Sequence, residues 1–249
     1  MNQSPIPKVL SILLQHKVKA LLIGGQACIL YGAAEFSRDI DLAVMVSPEN
    51  LEHLKTALHK LKAQRIFVPD LSEEALLKGH ACHFRCRRDD VKNLRIDVIS
   101  VMRRVDSFPD LWKRRREIDL PGAGKIAVIS LPDLVRAKKT QRDKDWPMVR
   151  RLIEADIYRA PAHPSDGRIS FWLAECRTPE LLISLCAQYP GAASETAQRR
   201  PLIKSAIGGN NEKVRRLLVE EEEKEREADR GYWSVLKAEL ETWRHQKNK

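Results

Sequence analysis

Residues 21–46 read LLIGGQACILYGAAEFSRDIDLAVMV. An apolar run ends in Gly24-Gly25, thirteen residues separate Gly25 from Asp39, and Asp39-Ile40-Asp41 leads into a second apolar run. Alternation along a strand points Asp39 and Asp41 to one face and turns Ile40 to the other. The stretch therefore predicts a buried strand over 19–23, a glycine turn, a small helix over 26–32 and a second strand over 39–46. Two carboxylates on one strand face, close to a glycine turn, are the makings of a divalent-metal and phosphate site. Glycine lets a backbone approach phosphate, and the helix start behind it offers free N–H groups.

The elements on either side extend this pattern. Apolar spacing and an early proline predict a helix over 6–17. Ser47-Pro48 opens another helix, with Ser47 as cap and Leu51, Leu54, Leu58 and Leu61 as its buried stripe. Short strands are expected near 65–68, 81–86 and 93–101, with a short helix over 70–79. In the third of these strands Arg95, Asp97 and Ile99 share a face, so Asp97 is a third carboxylate flanked by apolar residues. Residues 107–118 combine Phe108 and Trp112 with Lys113–Arg116, a basic and aromatic patch suited to gripping RNA backbone. A strand over 125–130 and a helix over 131–140 follow. Asp145 is placed to cap the next helix, which carries Pro147 near its start.

Near residue 160 the stretch APAHPSDGR reads as a linker. The expected organisation is one domain over 1–160 and a mainly helical C-terminal region over 161–249. Residues 211–245 carry a long charged helical pattern, and the acidic run at 220–223 reads as a solvated helix face.

Composition narrows the class. Of 249 residues, 43% are hydrophobic and 31% charged, the balance of a globular chain. No apolar run approaches the roughly 20 residues that span a bilayer. The start, MNQSPIPKVLSILLQ, reads as a short helix rather than a secretion signal, and the expected compartment is cytoplasmic, with no membrane association. Five cysteines, at 28, 82, 86, 176 and 186, form no even set for a disulfide framework. His80, Cys82, His83 and Cys86 match no common zinc spacing, and alternate burial along a strand accounts for the two cysteines. The net charge is +10, and a surplus of six lies in residues 101–160, as a polyanion partner would need.

Gly24-Gly25, then Asp39-Ile40-Asp41, then Asp97 on a later strand, in that order, resemble the nucleotidyltransferase superfamily, whose fold is shared with the palm of polymerase β type enzymes. The resemblance covers roughly residues 6–160. It implies an α/β fold with a mixed, curved sheet backed by helices. It also implies a metal-dependent transfer of NMP from an NTP, such as ATP, to an acceptor hydroxyl. Asp39, Asp41 and Asp97 would be catalytic and would hold two Mg²⁺ ions, with Mn²⁺ as a substitute. Gly24 and Gly25 would seat the triphosphate. Ser37 and Arg38, just before the carboxylates, also fit the family.

A second stretch, LVRAKKTQRDKDWPMVRRL at 134–152, resembles the segment behind the catalytic strands of stand-alone bacterial nucleotidyltransferases, including toxin and abortive-infection members. There a lysine faces the triphosphate, and the matching positions are Lys138 or Lys139, with Arg142 as a further contact. The expected acceptor is RNA, for example a tRNA 3′ end, and a partner protein of antitoxin type is implied. The alternatives are nucleotidylation of a protein, modification of a small molecule of aminoglycoside type, or a non-catalytic nucleic-acid-binding or interaction module.

The chemistry accounts for these residue types. In-line attack on the α-phosphorus builds negative charge on the attacking and leaving oxygens, which two Mg²⁺ ions about 4 Å apart would neutralise. Magnesium prefers hard oxygen donors, and carboxylates are the side chains that supply them.

Overall fold

A computed structural model describes residues 5–247. The chain is mixed α/β: a seven-stranded sheet with parallel and antiparallel pairs, followed by a mainly helical C-terminal region. It divides into two compact units. One combines Ala34–Ala137 with the chain up to Leu30 and from Tyr232 onward; the other takes Tyr31–Ala33 and Lys138–Gly231.

In the first unit, helix α1 (Pro5–Gln15) precedes strand β1 (Ala20–Ile23), helix α2 (Gly24–Leu30) and strand β2 (Asp39–Val44). Helix α3 (Pro48–Lys60), β3 (Gln64–Arg65), α4 (Glu73–Leu77), β4 (Cys82–Arg85) and β5 (Arg95–Ile99) follow. The unit continues through α5 (Phe108–Lys113), β6 (Arg116–Leu120), β7 (Gly124–Val128) and α6 (Leu131–Ala137). The sheet order is β3-β4-β5-β2-β1-β7-β6.

One face of the sheet is a continuous apolar ladder. Leu22 lies opposite Leu42, Leu42 beside Val98 and Val98 beside Cys82; Ile40 pairs with Ile96 and Ile96 with Phe84. All are buried. Leu10, Leu13 and Leu14 of α1 join Leu22 and Leu42 around a cavity of about 140 Å³, so α1 covers this face. The residues between the ladder positions, Asp41 and Asp97 among them, project from the other face. Ser47 caps α3 by accepting from Asn50 N, Pro48 is its first residue, and Leu51, Leu54, Leu58 and Leu61 are buried as the spacing predicts.

Some local details differ from or add to the sequence reading. Gly24 and Gly25 are the first turn of α2 rather than a separate turn before it. Residues 116–120, which overlap the basic and aromatic patch, are a strand; its pattern, REIDL, has no buried residue at the sheet edge, so no apolar alternation marked it. Lys113, Arg114 and Arg115 in the patch each face a carboxylate, of Asp110, of Asp106 and Asp133, and of Glu117.

The second unit is helical: α7 (Asp145–Tyr158), α8 (Asp166–Glu175), α9 (Pro179–Gln188), α10 (Pro190–Arg199), α11 (Ile203–Ile207) and α12 (Asn211–Lys247) up to residue 231. The linker-like stretch near 160 joins α7 to α8. Asp145 does not cap α7 from outside. It is the first helical residue, and its carboxylate receives Lys138 Nζ at 3.1 Å, Thr140 Oγ1 at 2.6 Å and Arg142 Nε at 2.8 Å. The acidic run is not uniformly solvated either: Glu221 takes both Arg177 and Arg200, and Glu222 takes Arg226. Among the described residues no helix is long and apolar enough to cross a membrane.

The Asp145 cluster has a pH signature. Burial works to raise the Asp145 pKa, but Lys138, Thr140 and Arg142 outweigh it and hold the carboxyl below its ordinary value of 3.8. A carboxyl lowered on folding stabilises the folded state above its unfolded pKa, and that contribution is lost as the pH falls through the folded value. The second unit is therefore expected to lose stability below about pH 4 in part through Asp145. Asp145→Asn should weaken the protein at neutral pH and flatten the acid limb of a plot of melting temperature against pH. An acid limb as steep as that of the wild type would remove Asp145 from the account.

Candidate active site

The site is built from sheet register. Asp39 and Asp41 alternate with buried Ile40 on β2, and Arg95 and Asp97 with buried Ile96 on β5. The parallel pairing sets Asp39 against Arg95 and Asp41 against Asp97. Register partners on neighbouring strands lie about 5 Å apart, so Asp41 and Asp97 stand side by side with Asp39 on the same face. The antiparallel β4 adds His83 opposite Asp97 and Arg85 opposite Arg95. Two rows therefore cross the sheet: His83, Asp97, Asp41, and Arg85, Arg95, Asp39.

Asp97 is held from two sides. His83 Nδ1 lies 2.8 Å from its Oδ1, and Arg95 Nε donates to the same oxygen at 2.7 Å. Burial alone would raise the Asp97 pKa; hydrogen bonding to His83 and Arg95 overrides it and keeps the carboxyl below the usual range. Burial likewise works against the Arg95 charge, while Asp97, Asp39 and Asp41 hold the guanidinium above its ordinary value. Arg95 is the counter-charge of all three carboxylates.

Gly24 borders Asp41 directly. Its φ is +64°, and a Cβ there would lie 1.9 Å from Asp41 Oδ2. Gly25 N lies 3.3 Å from the same oxygen and donates to it. A Cβ on Gly25 would lie 2.4 Å from Ser37 Oγ. Ser37 Oγ is 3.4 Å from the carbonyl of Asp39, and its own carbonyl accepts from Gln26 Nε2 at 3.0 Å. Arg38 is exposed, with its guanidinium 5.6 Å from the centre of the Phe36 ring.

Of the residues singled out in the sequence, Gly24, Gly25, Ser37, Arg38, Asp39, Asp41 and Asp97 thus belong to one region of the first unit. Lys138, Lys139 and Arg142 lie in the second unit. There Lys138 and Arg142 share Asp145, and Lys139 pairs with Glu175. Each therefore already has a carboxylate partner.

The donor set suits a hard cation in kind. Three carboxylates occupy adjacent positions, and glycine at 24 leaves the space that the Asp41 carboxylate fills. Among the described residues no three His, Cys, Asp or Glu side chains converge as a ready cage. Arg95 and His83 engage Asp97, and a cation would have to compete with them for its charge. Sequence reasoning missed His83 in this role. It lies in HACHFRC, and only the β4–β5 register sets it opposite Asp97. Cys82 and Cys86, from the same stretch, are buried thiols pushed up to about 11 by burial, and His80 reaches Glu239 at 2.8 Å instead.

No family model matches the chain, and no curated protein matches it. Among solved structures it is similar to a protein of Helicobacter pylori described as a candidate nucleotidyltransferase, at 15% identity and a TM-score of 0.40. That match covers 86% of this chain and 93% of the other. It is also similar to JHP933 from Helicobacter pylori, at 14% identity and a TM-score of 0.40, covering 92% and 94%. Likenesses at this level leave function to be argued from the site itself.

Proposed function

We propose that the chain is a nucleotidyltransferase that moves NMP from an NTP to the hydroxyl of an acceptor, with RNA as the acceptor. The observation that carries the reading is the β2–β5 register, which stands Asp41 beside Asp97 with Asp39 on the same face. Asp39, Asp41 and Asp97 would hold Mg²⁺, which supplies charge neutralisation at the attacking and leaving oxygens. The acceptor oxygen attacks the α-phosphorus, the bond from that phosphorus to the bridging oxygen breaks, and pyrophosphate leaves. The hydroxyl proton passes by way of Asp97 to solvent. Gly24 and Gly25 offer side-chain-free backbone beside Asp41 for the triphosphate, and exposed Arg38 is a cation within reach of phosphate on the same segment. Basic charge over the chain favours a polyanion acceptor over a cationic small molecule.

The test is incubation with Mg²⁺, each α-labelled NTP and total RNA, followed by separation of RNA, protein and small molecules. Label is expected in RNA, and Asp41→Ala should lower its appearance roughly a thousandfold or more. Label transfer that persists unchanged in Asp39→Ala and Asp41→Ala would remove this site from the chemistry.

A further inference from the structure

The carboxylate face has two flanks, and they differ. Following the sheet order, Gly24 and Gly25 lie beyond Asp41 at the end of β1, while β4 and then β3 lie beyond Asp97. On the second flank stands Phe67. Ile66 N donates to the carbonyl of His83 at 3.0 Å, which ties this segment to β4. The Phe67 ring meets the His83 ring edge-on at 5.7 Å between centres, and the Arg95 guanidinium lies 6.0 Å from it. Both neighbours hold Asp97, so the ring sits on the carboxylate face, and it is 52% exposed.

Arg85 adds a charge to this flank. It lies two residues past His83 on β4, on the same face, opposite Arg95, and it is exposed. Its neighbours are matched: Arg65 with Asp70, Arg88 with Asp90, Arg95 with Asp97, and Arg87 with the side-chain amide of Gln64. Arg85 has no acidic partner among the described residues. A half-exposed aromatic ring beside an unmatched cation is the pair of groups that binds one unpaired nucleotide, through stacking on the base and charge on the phosphate.

We propose that Phe67 and Arg85 form an acceptor subsite for the 3′-terminal nucleotide of single-stranded RNA, with the base stacked on Phe67 and a backbone phosphate on Arg85. The assignment to the acceptor rests on the function proposed above. If the triphosphate lies on the Gly24–Gly25 flank, the attacking hydroxyl arrives from the Asp97 flank, where Phe67 stands. An acceptor tyrosine or serine on a protein carries no backbone phosphate for Arg85, whereas every RNA 3′ end does.

The experiment measures anisotropy of a short, unstructured RNA labelled at its 5′ end, without NTP, and of the same RNA with an abasic 3′-terminal nucleotide. Phe67→Ala is expected to weaken binding about 5- to 100-fold, and Phe67→Trp to restore it. The abasic RNA should lose a similar factor on the wild type and lose nothing further on Phe67→Ala. Arg85→Ala should weaken both RNAs and lower the slope of log affinity against log salt by about 0.7. Thermal melting checks that each variant folds. An affinity unchanged in Phe67→Ala, a loss that Phe67→Trp does not restore, or an abasic penalty that persists in Phe67→Ala would overturn the subsite. The arms also separate the two readings. RNA binding that depends on Phe67 in a protein that transfers no label keeps the subsite and removes the chemistry. Label entering protein, with RNA binding indifferent to Phe67, does the reverse.

Discussion

Replacing Glu221 by alanine is expected to cost the second unit about 3 kcal/mol, although Glu221 sits in a run of four glutamates on a long helix. The reason is what it faces. Arg177 and Arg200 are both nearly buried and share this one carboxylate. Arg177 Nη1 lies 3.0 Å from Oε2, Arg200 Nη2 lies 2.9 Å from Oε2, and Arg200 Nε is 3.2 Å from Oε1. Burial first, and then the charge of Arg200, already push the Arg177 pKa down, and Glu221 is the largest influence opposing that. Arg177 Nε has no hydrogen-bond partner; beyond Glu221 its guanidinium has the Trp146 ring at 5.1 Å and the weaker through-space charges of Glu175 and Glu222. Arg200 would keep the carbonyls of Leu173 and Cys176, so Arg177 is the cation left stranded. Losing the carboxylate that both cations contact leaves buried charge poorly compensated, which costs far more than a surface pair is worth. Partial exposure of Glu221 places the estimate at the low end of the buried range. Glu223→Ala in the same run should change stability by no more than about 0.5 kcal/mol. Urea denaturation followed by circular dichroism compares the two, and equal midpoints would show that the trio contributes nothing.

That contrast marks where sequence reading stops. The first four elements and the α3 stripe were legible because each depends on local chemistry: apolar spacing, a serine cap, a proline at the helix start. The carboxylate face was legible for the same reason, since alternation puts Asp39 with Asp41 and Arg95 with Asp97 wherever the strands lie. Which strand neighbours which is decided by long-range pairing. Only the β4–β5 and β2–β5 registers reveal that His83 and Arg95 converge on Asp97. Strand β6 was hidden because an exposed edge strand has no buried alternation to show. The ion partners of Glu221 and Asp145 were hidden because a charge pattern does not say which charges the fold will bury. Lys138, Lys139 and Arg142 show the same gap: their types suit phosphate, and their observed partners are carboxylates.

Gly24→Ala is expected to reduce label transfer by roughly a hundredfold or more while leaving the protein folded. Two effects combine. A φ of +64° costs an alanine about 1 kcal/mol that glycine does not pay. The added methyl would also lie 1.9 Å from Asp41 Oδ2, 2.4 Å from its Cγ and 2.6 Å from its Cβ, so the whole carboxylate must move. Asp41 cannot give way without changing its relation to Asp97, its register partner on β5. A displacement of about 1 Å at a reacting centre is enough for a hundredfold loss. Gly25 provides the control. Its added methyl would meet Ser37 Oγ at 2.4 Å and Ser37 Cβ at 2.8 Å rather than a site carboxylate, so removing the whole Ser37 side chain makes room. Gly25→Ala should therefore be impaired and should recover with Ser37→Gly, while Gly24→Ala should not recover with any change at Ser37. If Gly24→Ala transfers label at the wild-type rate, the placement of Asp41 beside Gly24 is not what the reaction needs, because the methyl cannot fit beside that carboxylate where it now stands.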